Sequence, residues 1–197
     1  MFHYEVEVGV DSGQMSVVPF GEWLRTDRLN AYAESSLIKI IDANPGDEVY
    51  VSVEYSDEGD WGVRVKEISA KVGVYPSGSP IGSFTVPDTG KIVVSDPCYV
   101  LEGDYYGNRE EGDPGTPGYD AACQATIGDE QAGMFSTGGG MGACSTTGYG
   151  DGLYPLRVAF DSNGKLSELT VDFIDEEWED DDVENEGCDG WETITGS

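Results

Sequence analysis

The side chains able to do chemistry in this chain are few, and most of them sit at turns. Asp11, Asp88, Asp96 and Asp151 each fall where a β-rich run begins or ends. Gathered at one rim of a fold, such carboxylates would suit a hard divalent cation, Ca2+ or Mg2+ ahead of zinc, and Asp96 with Asp151 is the pair most strongly indicated. The stretch "SDPCY" adds Cys98 and Tyr99, and "TTGYGDGLYP" sets Tyr149 and Asp151 in a glycine-dense turn that a ligand could approach closely. Asp96, Cys98, Tyr99, Tyr149 and Asp151 are therefore the candidate ligand-binding residues.

Most catalytic chemistries fit this set poorly. A nucleophilic Cys98 would need a base or a cation beside it. The one histidine, His3, lies at the far start of the chain, and a strongly negative field raises a thiol's pKa. A small buried hydrophobe is the expected role for Cys98. Cys98, Cys123, Cys144 and Cys188 form no Cys-x-x-Cys pair and have no histidine partner nearby, which argues against zinc. The glycine-rich turn lacks the lysine of a phosphate-binding loop. The stretch "DSNGKLSEL" lacks the acidic ligand before its glycine and the spaced glutamate of a calcium loop, and a hairpin explains it better. No catalytic residue is assigned.

Turn chemistry organises the elements that must carry these residues. "DSG" at 11–13 leads into "QMSVV", and "DTG" at 88–90 leads into "KIVVS", 77 residues later. In each, an Asx or Ser/Thr turn with a glycine at a φ > 0 position delivers the chain into a buried strand. "FHYEVEVGV" and "EVYVSVEY" alternate cleanly as half-buried strands, and "SLIKII" and "WGVRVKEISAKVGVY" supply more. The firmest expectation is a hairpin of "LYPLRVAF" and "KLSELTVDFI" around Asn163-Gly164. One short helix is expected within 21–36, a long irregular loop over 102–118, and "YDAACQATI" reads as either strand or helix. The expected fold is mainly β: two related, packed β units, a sandwich or a pair of small barrels, with at most one or two short helices. Their boundaries are expected at 1–75 and 84–174, joined by a Pro/Gly/Ser linker at 76–83 and followed by an acidic tail at 175–197.

Charge is the dominant compositional fact. With 39 acidic against 10 basic residues the formal charge is -29, and about a dozen acids crowd the stretch from Asp172 to Glu192. Such a chain repels phosphates and anionic lipid, so direct nucleic-acid binding is disfavoured. Three readings stay open: a solubility coat, a docking surface for a basic protein, and mimicry of nucleic-acid phosphates. A tail docking through Asp175, Glu176, Trp178, Asp181 and Trp191 would serve the second. "MFHYEVEVGVDSG" has no basic region or long apolar core, and no run reaches membrane-spanning length, so a cytoplasmic setting with reduced thiols is expected. A Cys123–Cys144 bridge stays open.

The motifs "GKIVVSDPCYV", "VGVDSGQM" and "TGYGDGLYPLRVAFDSNGKLSELTVDF" together cover about a third of the chain. In combination they resemble the uncharacterised bacterial and phage family known as domain of unknown function 4241. In that family the "VDSGQ" element is expected downstream of "DPCY", whereas here it precedes it. The resemblance implies a β-rich fold and a phage or prophage setting, and supplies no established activity. The function expected overall is non-enzymatic: an acidic binding or accessory protein engaging a basic partner. The alternatives are an enzyme or small-ligand site where "SDPCYV" meets "TTGYGDG", and a virion structural component.

Overall fold

The computed structural model describes residues 3–19, 39–72, 79–86, 90–100, 117–136 and 140–174. Its strands are β1 (His3–Gly9), β2 (Gln14–Pro19), β3 (Lys39–Asp42), β4 (Glu48–Asp57), β5 (Val63–Lys71) and β6 (Ser79–Val86). They continue with β7 (Lys91–Ser95), β8 (Ala132–Ser136), β9 (Met141–Thr146), β10 (Gly152–Phe160) and β11 (Leu166–Asp172). Two short helices, α1 (Pro97–Val100) and α2 (Pro117–Ala125), accompany them. The fold is mainly β, as the alternation in the sequence requires.

The strands form two antiparallel sheets, ordered β1-β4-β5-β11-β10-β6 and β3-β2-β7-β9-β8. Their facing sides share one core that includes Val8, Val51, Ile68, Leu156 and Leu169 from the first sheet and Met15, Val17, Ile92 and Val94 from the second. This is a β-sandwich, each strand sending alternate side chains inward. On its other side the smaller sheet buries Val18, Val93, Phe135 and Cys144, together with Ala122 of α2.

The doubled turn is one part of a wider internal symmetry. Val17 and Val94, at matching places in the two copies, lie directly opposite each other in the β2–β7 pair. About that point β2 and β7 exchange, and so do their partners: Gln14 opposite Asp42 corresponds to Lys91 opposite Thr146. The larger sheet reads the same way from either edge, with β1, β4 and β5 answering to β6, β10 and β11. Both of its hairpins carry a bulge just before the turn, between Glu54 and Tyr55 and between Ala159 and Phe160. Among the described residues, helix α2 and strand β8 have no counterpart in the first half.

Each half therefore contributes strands to both sheets, and the two β units expected from sequence are interleaved around a single core. The proposed linker is corrected in part: its residues 79–83 belong to strand β6. Pro80 misled the reading, because an edge strand tolerates a proline whose missing N–H would face solvent. "YDAACQATI" resolves as helix up to Ala125. Ala132–Ser136 and Met141–Thr146 form β8 and β9. The expected helix within 21–36 and the tail lie outside the described residues.

Candidate functional site

The two sequence motifs occupy opposite ends of one strand. Asp96 follows the last residue of β7, whereas the "TGYGDG" turn packs at its start. A Cβ placed on Gly90 would come 2.9 Å from the Cα of Gly150, and Thr147 N–H donates to the Gly90 carbonyl at 2.8 Å. The five residues of β7 separate Gly90 from Asp96, about 20 Å over the steps between them at ~3.3 Å per step. Asp96 and Asp151, the pair expected to share a cation, are thus not brought together. Among the described residues no group of three or more His, Cys, Asp or Glu side chains is placed to hold a metal.

At the first end Asp96 is fully buried. Its Oδ2 accepts the backbone N–H of Asp11 at 2.6 Å and of Ser12 at 2.7 Å, and its Oδ1 accepts that of Cys98 at 2.8 Å. Burial alone would raise this carboxyl, but the hydrogen bonds from Ser12 and Cys98 outweigh it and hold the pKa below the ordinary aspartate value. Proline at 97 fixes the bend that lets one carboxylate cap the first turn of α1 while gripping the β1–β2 turn. The Tyr99 hydroxyl donates to the Asp11 carboxylate, which pushes the phenol up to about 12. Cys98 is half-buried, less enclosed than the expected core position. These side chains are committed to bracing one copy of the repeat against the other.

The second end is also built for structure. The turn 147–151 answers to 43–47 in the first half: Thr147 N–H reaches Gly90 O as Ala43 N–H reaches Gly13 O, both at 2.8 Å. Gly46 and Gly150 share a left-handed φ, +87° and +103°, so Asp151 is the counterpart of Asp47. Tyr149 stands exposed with its hydroxyl on Glu58 Oε2 at 2.5 Å. Hydrogen bonds from Ser56 and Tyr149 hold Glu58 below the usual carboxylate range. Tyr154 donates to the Thr147 carbonyl at 3.0 Å and also to that of Gly150, with its ring edge-on to Phe173 at 5.1 Å. A shallow groove of about 360 Å³ opens beside it, lined by Leu153, Pro155, Asp172 and Ile174. A second groove, of about 390 Å³, runs from Val63 to Gly128–Gln131. There the Gln131 amide is committed to Val63 O and its carbonyl to the Thr146 hydroxyl.

The sequence reading missed the outer face of the six-stranded sheet. The alternation that sends valines inward sends Glu5, Glu7, Glu48 and Glu54 outward, and pairing adds Glu67, Glu168 and Asp172 on the same side. Glu54, Glu67 and Asp172 stand directly opposite one another on β4, β5 and β11. Arg157 clamps Asp172 with bonds of 2.8 and 2.6 Å and reaches Glu67 at 3.4 Å, while Lys71 pairs with Glu168 at 3.1 Å. Burial, then the charges of Asp172 and Glu54, push Glu67 up to about 7. The signal was present, since the acids of "HYEVEVG" and "EVYVSVEY" fall in one phase, but only strand order makes them neighbours. The predicted tail residues Asp175, Glu176, Trp178, Asp181 and Trp191, and Asp88 of the expected rim, lie outside the described residues.

No protein-family model, curated protein or solved structure matches the chain. Among the described residues no helix is long and apolar enough to cross a membrane.

Proposed function

We propose that this protein is a non-enzymatic binding or accessory protein that engages a basic protein surface through the acidic outer face of its larger sheet. The observation that carries the reading is the row Glu54–Glu67–Asp172. Like charges directly opposite in a sheet oppose folding, and the row has Arg157 as its cation within bonding distance. Lysine or arginine side chains of a partner would relieve that repulsion, so the arrangement costs the free protein and favours the complex. Within the candidate motifs, the carboxylate of Asp96 and the hydroxyls of Tyr99 and Tyr149 are held by bonds within the fold, which favours the outer face as the contact surface.

The test is titration of the full chain with a short lysine/arginine peptide at low and physiological ionic strength. Binding should be salt-sensitive and should weaken when Glu5, Glu7, Glu48 and Glu54 become glutamine. Equal substitutions at exposed Asp42, Asp60, Asp129 and Glu130, elsewhere on the surface, should matter far less. Equal losses from both sets would reduce the interaction to net charge and overturn the assignment to this face.

A further inference from the structure

Resting on that reading of the acidic face, we infer that the groove beside it receives an apolar side chain of the same basic segment. Asp172 belongs to both features. It lines the groove with Tyr149, Leu153, Pro155 and Ile174, and it begins the carboxylate row that continues to Glu67 and Glu54. The groove floor is held in place: Phe173 is buried, and Tyr154, buried against it, is fixed through its hydroxyl to two carbonyls of the 147–150 turn. Its walls are wet apolar surface, Leu153 being 69% exposed and Tyr149 56%. Packing among the described residues gives no reason for a leucine in that position, while an anchor pocket would use one.

The occupant follows from charge and spacing. Neighbouring strands lie about 4.8 Å apart, so the carboxylates of Asp172, Glu67 and Glu54 span about 10 Å leading away from the groove. An extended peptide crossing the strands with an aromatic or aliphatic residue in the groove covers that distance in about three residues. The partner is thus a cationic polypeptide segment in which one large apolar residue is followed closely by lysines or arginines. A phosphate-bearing or acidic partner is repelled by the same row.

Two peptides of equal charge test the inference on the full chain: a lysine/arginine peptide carrying one phenylalanine, and its twin with serine in that place. The phenylalanine peptide should bind about tenfold more tightly, the return expected for burying part of one aromatic side chain. That preference should persist as salt rises. Leu153→Ser should abolish the preference and leave the serine peptide's affinity unchanged; the position is exposed enough that folding survives, which circular dichroism checks. If both peptides bind equally and the binding still depends on the acidic face, the groove has no anchor role and the functional reading stands. If neither binds at low salt, both fail. A Leu153-dependent dimer in sedimentation would assign the groove to a second copy of the chain and overturn the inference.

Discussion

Replacing Asp96 with asparagine changes one oxygen to an amide nitrogen at the point where the two halves are braced. The native carboxylate accepts three backbone N–H groups and is sealed from water. Asparagine's carbonyl oxygen can keep the bonds from Asp11 and Ser12, but its amide then faces the Cys98 N–H, donor against donor. The loss is one charge-assisted bond, an unmatched donor and the charge behind the other two bonds, together about 3 kcal/mol. Equilibrium urea unfolding reads this as a midpoint lower by about 1.5 M, for a slope near 2 kcal/mol/M. The pH dependence adds a second readout. Because the folded pKa is depressed, the stabilisation is fully present above the unfolded value near 4 and is lost as pH falls through the folded one. Asp96→Asn should therefore flatten the acid limb of the stability curve. Accelerated exchange of the Cys98 amide would localise the defect. A loss under 1 kcal/mol, with that amide still protected, would refute the brace.

Two other perturbations separate electrostatics from backbone geometry. Glu67 binds its proton more tightly in the fold than in the unfolded chain, so its contribution to stability falls as pH rises from about 4 to about 7. Glu67→Gln should then be more stable than wild type at pH 8 by about 1 kcal/mol and near neutral at pH 4, read from paired urea titrations. Wild-type affinity for a lysine/arginine peptide should climb from about pH 6 to about pH 8 as Glu67 ionises, and this climb should disappear in the variant. Gly46 and Gly90 both have positive φ, but a Cβ meets nothing within 4 Å at Gly46 and lies 2.9 Å from the Gly150 backbone at Gly90. Gly46→Ala should cost about 1 kcal/mol and Gly90→Ala at least twice that in the same assay, and equal costs would sink the close-approach argument.

The strands were legible wherever one face is buried and the other wet, because alternation then records both the element and its orientation. The hairpin of β10 and β11 and strands β1 and β4 were read this way. Strands β8 and β9 were hidden because Gly133, Gly140 and Gly142 lie against Ala125, the Tyr99 ring and the Phe135 ring, where a side chain has no room. The doubled D-S/T-G announced a relation between the halves, but not that its strands pair with each other. Among the motif residues, Asp96 occurs in one copy and grips the turn of the other. The acidic row across the strands was hidden because Glu54, Glu67 and Asp172 become neighbours only through the order β4-β5-β11, which no local pattern encodes.

The central pairing of the larger sheet joins β5, ending at Lys71, to β11, beginning at Leu166. Nearly the whole intervening chain must be made before that contact can form. During synthesis the first half therefore emerges with Ile68 and Ala70 lacking the strand that will sit beside them, and it waits for most of the second. Closing so long a loop is entropically slow, and a waiting half with an open sheet edge is liable to pair with another nascent chain. The outward glutamates of β1 and β4 are already in place during that interval. They would keep such half-made molecules apart by repulsion until β11 arrives to close the sheet.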